Sequence, residues 1–452
     1  MMVPVRAELE AAKLQRFRAL VRYAQARAPY YADLIKERAI DPDNCTPGDF
    51  PQLTKSMLMA NFNGIVTDRR VTRQIVADFL TRSTDPRERL FGDLTVMHTS
   101  GTSGEIGYFL YSPPDFFRLR ATALRNRREF RGLFPRFGLR LRRVRVAFYG
   151  ATGGHFAGVT GIASMQRGLR KLLLDARAFE VNAPLPEVVF AINRFRPDVL
   201  WGYTTALKML ADEQRGGRLE IRPVAVIATG EMVTKADMQF LSAGFEGARA
   251  LSMYACTEHM MLGISNPDGE SMTLLDDNLV FEFHEDHSVI TNLFNYTLPL
   301  IRYRMSDILR PISAPGAPRL IIQNLVGRVE QLARFVNAAG TSDFISPHTI
   351  NEIFVEGVVR FQMQITGPSS FRFPICVDES LDGGRRAAAA AGVALRLRDI
   401  LAQKDLSNVT FEVPIVAGIA LNERTRKFQL IVNQSPARAA ANPASAKPTS
   451  AV

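Results

Sequence analysis

Between residues 144 and 254 short apolar runs alternate with helical stretches, and that alternation constrains the fold more than anything else in the chain. Val144, Val146 and Phe148 recur at every second position up to Tyr149-Gly150, the pattern of a strand that ends in a glycine loop. Asp198–Tyr203 is a short apolar run followed by helical spacing over Ala206–Gln214, and Pro223–Ile227 and Ala250–Tyr254 repeat the theme. Strands that alternate with helices predict an α/β fold with a mostly parallel sheet covered on both faces. Such sheets take ligands in the loops beyond the carboxyl ends of their strands, where Gly150, Tyr203, Gly230 and Glu258 fall. Ahead of this region, Leu14, Phe17, Leu20, Val21 and Ala24 mark an amphipathic helix expected to end near Pro29, and helical material continues to about residue 80.

After residue 275 the pattern turns antiparallel, with a hairpin expected from Leu279–Phe283 and Val289–Asn292. Beyond Gly327-Arg328 the elements shorten to a helix near 347–355, strands near 358–366 and 371–377, an alanine-rich helix near 385–402, and strands near 408–413 and 427–432. The expected organisation is a large N-terminal domain over 1–328, a small α+β C-terminal domain over 329–434 and a disordered Ala/Pro/Ser-rich tail over 435–452.

Several classes are excluded by composition. The net charge of +11 comes from 56 Lys and Arg against 45 Asp and Glu, much of it arginine between 125 and 145. Phe130, Phe134 and Phe137 fall among these arginines but not in the regular interleaving of a base-stacking platform, so nucleic acid is not an expected partner; a small polyanion such as ATP or coenzyme A is. Cys45, Cys256 and Cys376 are too few and too far apart for a disulfide framework or a zinc knuckle, which fits a reducing cytoplasm. His284-x2-His287 and Cys256-x2-His259 lack the partners of a structural zinc set. No run of about 18 apolar residues is present, so no membrane span is expected. The oligomeric state, monomer or homodimer, stays open.

The stretch His98-Thr-Ser-Gly-Thr-Ser-Gly-Glu-Ile-Gly107 carries the chemistry. Glycine lets backbone N–H groups wrap a polyanion, and hydroxyls donate to phosphate oxygens. No lysine follows Gly104, so this is not the Gly-x4-Gly-Lys-Ser/Thr loop. A plain surface turn fits the same residues.

Further segments follow in order: Ala228-Thr-Gly-Glu231, Tyr254-Ala-Cys-Thr-Glu258, Leu298-Pro-Leu-Ile-Arg-Tyr-Arg-Met-Ser-Asp307, Gly327-Arg328 and Lys427. With Thr99–Gly104 they resemble the adenylate-forming (acyl-activating) superfamily over about residues 10–432. Pro299–Arg304, Tyr149–Gly154 and the Leu14–Tyr31 helix resemble its phenylacetate–coenzyme A ligase branch.

The resemblance implies ATP-dependent activation of a carboxylic acid, aromatic by analogy with the branch, to an acyl-adenylate with release of pyrophosphate. Transfer to the thiol of coenzyme A would follow. It implies that Thr99, Ser100, Gly101, Thr102, Ser103 and Gly104 embrace the β- and γ-phosphates. Gly230 and Glu231 would pack on adenine, Tyr254 stack on it, and Thr257 donate to the α-phosphate. Glu258 would hold Mg²⁺, and Asp307 and Arg328 would bind ribose or phosphate. Lys427 would be delivered by a mobile small domain rotating about Glu330, with Arg426 as the neighbouring candidate. Arg302 and Arg304 would support the nucleotide site without touching it.

For the acyl pocket the resemblance implies Phe148, Tyr149, Gly150 and Tyr203, with Trp201 and Met253 alongside. Gly340 falls where a loop would line a pantetheine tunnel, and equally where a turn would. Two positions depart from the pattern: Glu105 stands where lysine is common, and Gly-Arg-Val-Glu330-Gln331 replaces Gly-Arg-x-Asp-Asp. Two alternatives stay open, transfer to a carrier-protein thiol or an amine, and a non-catalytic nucleotide-binding relative. No Gly-x-Ser-x-Gly elbow supports a serine hydrolase.

Overall fold

The computed structural model describes residues 6–99, 106–125, 142–168, 170–231, 233–285, 287–305, 307–314, 316–323, 333–345, 349–350, 353, 355–378, 381–419 and 430–434. They fall into two compact units, one built from residues up to 181 together with 186–323, the other from 182–185 together with the residues from 333 onward.

The first unit opens with helices α1 (Arg6–Arg27) and α2 (Pro29–Glu37), then α3 (Lys55–Ala60), α4 (Phe62–Ile65) and α5 (Arg73–Arg82). Phe17, Leu20, Val21 and Ala24 of α1 are buried at the predicted spacing. Burying side chains of Phe, Leu or Val size is worth about 1.5–3 kcal/mol each. Pro29 does not simply end the helical region, because it is also the first residue of α2, where its missing N–H would have had no partner.

An antiparallel pair, β1 (Thr95–His98) and β2 (Tyr108–Tyr111), brackets residues 99–107. After α6 (Pro113–Arg125) come β3 (Val144–Gly150), α7 (Ala157–Met165), α8 (Arg170–Leu173) and β4 (Leu174–Glu180). Next are α9 (Leu185–Phe195), β5 (Val199–Tyr203), α10 (Thr204–Arg215), β6 (Ala225–Thr229), α11 (Lys235–Gly244) and β7 (Arg249–Cys256). The sheet continues through β8 (Met260–Ser265) and β9 (Ser271–Leu274). β10 (Leu279–Phe283), β11 (Ser288–Asn292) and β12 (Tyr303–Met305) form a separate three-stranded sheet, and β13 (Ile321–Gln323) returns to the large one.

The large sheet has eight strands in the order β13-β9-β8-β7-β6-β5-β3-β4. Strands β4, β3, β5, β6 and β7 are parallel, and the order reverses at β3, which pairs with β4 on one side and β5 on the other. A crevice opens at such a reversal, outside the carboxyl ends of the strands. Helix α7 packs on β3 and β4, while α10 packs on β5 and α11 on β7. Gly244 lets α11 approach α10, since a Cβ there would lie 2.6 Å from Ala211 Cβ.

Two expectations need correcting. The antiparallel pattern begins at β8, directly after β7, and not beyond 275: apolar runs buried on both faces look alike in either direction. Strand β4, with its mixed Leu-Asp-Ala-Arg-Ala-Phe-Glu sequence, carried no apolar run and went unpredicted.

In the second unit β14 (Ala333–Val336) and β15 (Ser342–Ile345) form a hairpin. β16 (Val358–Phe361), β17 (Met363–Gly367), β18 (Ser370–Arg372) and β19 (Ile375–Val377) stand where two longer strands were expected. Helix α12 (Gly383–Gln403) follows, capped by Asp382, then β20 (Thr410–Glu412) and β21 (Ile431–Asn433). A four-stranded sheet in the order β20-β18-β17-β21 and the Val393, Leu397 and Leu401 stripe of α12 share one core with Phe361, Met363, Phe371 and Phe373. This is the α+β pattern expected. Of the helix expected near 347–355, only residues 349 and 350 are described as helical, and the tail after 434 lies outside the described residues.

Candidate active site

The carboxyl ends of β3, β5, β6 and β7 lie side by side, with Tyr149 beside Gly202, Tyr203 beside Thr229, and Thr229 beside Met253.

Thr257 and Glu258 occupy the turn between β7 and β8. The Tyr111 hydroxyl, buried under that turn, is 3.0 Å from the Thr257 carbonyl and 2.7 Å from the Glu258 carbonyl and donates to them. Glu258 is 8% exposed. Burial pushes its carboxyl above the ordinary range, the Lys55 ammonium opposes that shift, and the Asp307 charge adds to it. Cys256 lies beside it, and burial together with the Glu258 charge pushes the thiol well up, so it stays protonated. His259 is fully buried and held neutral by desolvation, which lowers its imidazole to about 3. Met260 closes the turn at a φ of 61°, and Arg302 has a φ of 52°. Left-handed non-glycine residues are strained and tend to gather at functional sites.

Asp307 follows β12. Its Oδ2 accepts from the Tyr254 hydroxyl at 2.8 Å, and its carbonyl accepts from Ser288 Oγ at 2.8 Å.

At the entrance to the glycine-rich stretch, Thr99 N donates to Gly107 O at 3.0 Å and Gly107 N donates to Thr99 Oγ1 at 2.9 Å. These two bonds close the neck of the loop. Ser100, Gly101, Thr102, Ser103, Gly104 and Glu105 lie outside the described residues. His98, at the end of β1, packs against the Phe156 ring at 4.5 Å, and burial lowers its imidazole to about 4.

Lys55 is the residue that sequence reading missed. Its Nζ donates to Thr99 Oγ1 at 3.3 Å, and its charge acts on Glu258, so it ties the loop neck to the acidic turn. It is the first residue of α3, which Thr54 caps by accepting from Met57 N. Leu53 docks this segment on β12, donating its N–H to Arg302 O and accepting from Arg304 N. The Arg302 guanidinium grips the Glu282 carboxylate with two bonds near 2.6 and 2.9 Å and donates to Phe50 O at 2.6 Å. Arg302 therefore fastens the segment that carries Lys55. A lone Lys in a Leu-Thr-Lys run has no local signal; only Thr54 as a helix cap was readable.

Gly230 follows β6 at a φ of 77°, a conformation that glycine adopts freely. The Glu231 carboxylate accepts from Thr205 N and Thr205 Oγ1, both at 2.7 Å, and so caps the start of α10.

The aromatic residues divide. Phe148, Trp201 and Tyr203 share one face, with the Phe148 ring centroid 4.9 Å from Trp201 and 5.9 Å from Tyr203. Gly150 and Gly158 make room for that ring: a Cβ at Gly150 would lie 2.6 Å from it, and one at Gly158 2.5 Å. Tyr149 is next along β3 and points to the opposite face of the sheet, against Gly202. It is therefore not brought together with the other three. Glu180, at the end of β4, anchors the adjoining loop by accepting from Thr152 N at 2.9 Å and Thr152 Oγ1 at 2.5 Å.

Gly340 sits in the β14–β15 turn at a φ of 79°, with Asn337 Oδ1 accepting from Ala339 N and Thr341 N. This accounts for the glycine as a turn residue. Arg328, Glu330, Gln331, Arg426 and Lys427 lie outside the described residues. His284 and His287 stack with parallel rings 4.3 Å apart.

No family model matches the chain. It is 22% identical over 310 residues to protein CapK of Staphylococcus aureus, a match covering 65% of this chain and 61% of CapK, which is less than two thirds of that relative's length. Among solved structures it resembles 2-hydroxyisobutyryl-CoA ligase in complex with 2-HIB-AMP in the postadenylation state, with a TM-score of 0.53, 17% identity and coverage of 96% of this chain and 91% of that one. The same ligase in complex with 2-HIB-AMP and CoA in the thioesterification state gives a TM-score of 0.54, 19% identity and the same coverage. The chain shares the fold of that ligase.

Proposed function

We propose that the chain is an AMP-forming acid–thiol ligase. It would activate a carboxylic acid with ATP and pass the acyl group to coenzyme A. The observation that carries this reading is the convergence of Lys55, Tyr254, Glu258 and Asp307 beside the neck of the glycine-rich loop. Isolated acids and bases of this kind would more often be scattered in surface ion pairs.

In the first half-reaction a carboxylate oxygen of the acid attacks the α-phosphorus of ATP, the bond to the bridging oxygen breaks, and pyrophosphate leaves. In the second, the sulfur of coenzyme A attacks the acyl carbon and AMP departs. Both steps gather negative charge on phosphate oxygens, so positioned donors and cations lower the barrier most. Lys55 supplies a cation at the loop neck, which matters because Glu105 stands where the resemblance expects lysine. Thr257 donates to the α-phosphate, Tyr254 stacks on adenine and Asp307 binds ribose. Gly230 brings its backbone close to the base.

The buried Glu258 carboxylate, with the Asp307 carboxylate near, offers hard oxygen donors that fit Mg²⁺. Glu258 would hold that ion, which neutralises phosphate charge when bound. Lys427 is assigned to the acyl carboxylate and α-phosphate, Arg328 to the nucleotide and Glu330 to the hinge. The acid is aromatic in this reading, as in the phenylacetate–coenzyme A ligase branch, and meets the Phe148, Trp201 and Tyr203 face.

The decisive experiment is a pyrophosphate-release screen of aryl, arylacetic and short aliphatic acids with ATP and Mg²⁺, with and without coenzyme A. Acid-dependent release with an acyl-CoA product supports the reading. Release without thioester redirects the acyl group to a carrier thiol or an amine, and absence of release for every acid leaves a nucleotide-binding relative without catalysis.

A further inference from the structure

Tyr254 brings two separable parts to the site, a ring and a hydroxyl. The ring, on β7, is 7% exposed, and the hydroxyl donates to Asp307 Oδ2 at 2.8 Å. Ser288 already pins Asp307 through its carbonyl, but a bond to the main chain leaves the carboxylate free to turn about its side-chain torsions. The Tyr254 hydroxyl removes that freedom. It is a neutral donor, kept protonated by burial and by the Asp307 charge, so it orients the carboxylate without cancelling its charge. A phenylalanine would stack on a base equally well and leave Asp307 unheld.

We infer that Tyr254 is a positioning residue for ribose recognition: its hydroxyl holds Asp307 Oδ2 so that Oδ1 meets a ribose hydroxyl of the bound nucleotide. The inference rests on the adenylate-forming reading and adds to it a source of sugar selectivity. Preorganising an acceptor in this way strengthens binding by cutting the ordering cost at the moment the ligand arrives.

The test is calorimetric titration of the full chain with ATP, 2′-deoxy-ATP and 3′-deoxy-ATP, for the unsubstituted protein and for Tyr254→Phe, Asp307→Ala and the double variant. Loss of one hydrogen bond corresponds to about threefold to tenfold in affinity. The unsubstituted protein is expected to prefer ATP over at least one deoxynucleotide by that factor. Tyr254→Phe should weaken ATP about threefold or more and shrink the preference in proportion. The double variant should bind no more weakly than Asp307→Ala alone, since the hydroxyl acts through the carboxylate. Because the preference is a ratio on one sample, partial unfolding cancels. An equal loss for ATP and the deoxynucleotides, or an unchanged preference in Tyr254→Phe, overturns the inference while leaving the nucleotide site standing. Failure of the unsubstituted protein to bind ATP overturns both.

Discussion

The acidic turn after β7 and the aromatic face at the ends of β3 and β5 lie at the same edge of one sheet, yet they are built on opposite terms. At the turn, polar groups hold one another in place: Tyr111 under the Thr257 and Glu258 carbonyls, Tyr254 on Asp307, Lys55 on Thr99. On the aromatic face, packing does the same work, and Phe148 is enclosed by Trp201, Tyr203, Gly150 and Gly158. Charge chemistry needs groups held in advance at fixed points, because reorganising dipoles during reaction is costly. A hydrophobic wall needs only volume and shape.

That contrast predicts which changes damage folding and which damage chemistry. Among the substitutions the largest effect is expected from Phe148→Ala, about 3–5 kcal/mol of stability, with ATP affinity of the folded fraction kept. An unchanged melting temperature would show that the ring is a pocket wall and not core. Glu258→Gln should slow acid-dependent pyrophosphate release by about 10²–10³-fold with little change in melting temperature. A large stability loss instead would move Glu258 to the structural side. Lys427→Ala is expected to lower acyl-adenylate formation by about 10²-fold and preserve thioester formation from preformed acyl-AMP. Equal loss in both half-reactions would remove its assigned role.

Lys55→Met should raise the KM for ATP by about 10-fold or more, the worth of a charged hydrogen bond, and weaken AMP binding far less, since the lysine sits at the neck of the glycine-rich stretch proposed to hold the β- and γ-phosphates. Equal weakening of AMP would place Lys55 elsewhere. The last effect is titrimetric, and its size grows with the drop in pH. His98 and His259 have imidazoles lowered by burial to about 4 and about 3, so below pH 6.5 the unfolded chain takes up protons that the folded chain refuses. Stability is whole above pH 6.5 and falls on acidification by up to about 1.4 kcal/mol per pH unit for each histidine, until each folded value is passed. Denaturant melts between pH 7 and 4 measure this, and His98→Gln should flatten the slope.

Much of the candidate site was legible because its residues come in short, ordered segments. Thr257 and Glu258 are adjacent, Tyr254 is three positions before Thr257, and Asp307 ends a run with its own signature. Lys55 was not legible: its partner Thr99 is 44 positions away, and the contact exists only because Leu53 pairs with the strand carrying Tyr303. Glu231 was read as a ligand-side residue, and its carboxylate serves as a cap for α10, a use that depends on β6 lying next to β5.

The amino-acid order by itself determined the strand–helix alternation and hence the parallel sheet, since side-chain periodicity is a local property of the backbone. It also placed the glycine-rich loop, the acidic turn and the alanine-rich helix of the second unit. Only the tertiary structure decided where the sheet turns antiparallel, that Tyr149 faces away from Phe148, and which cation acts on the Glu258 carboxyl. Each of these depends on pairing between residues distant in the chain, and no local pattern encodes a register or a partner at that separation.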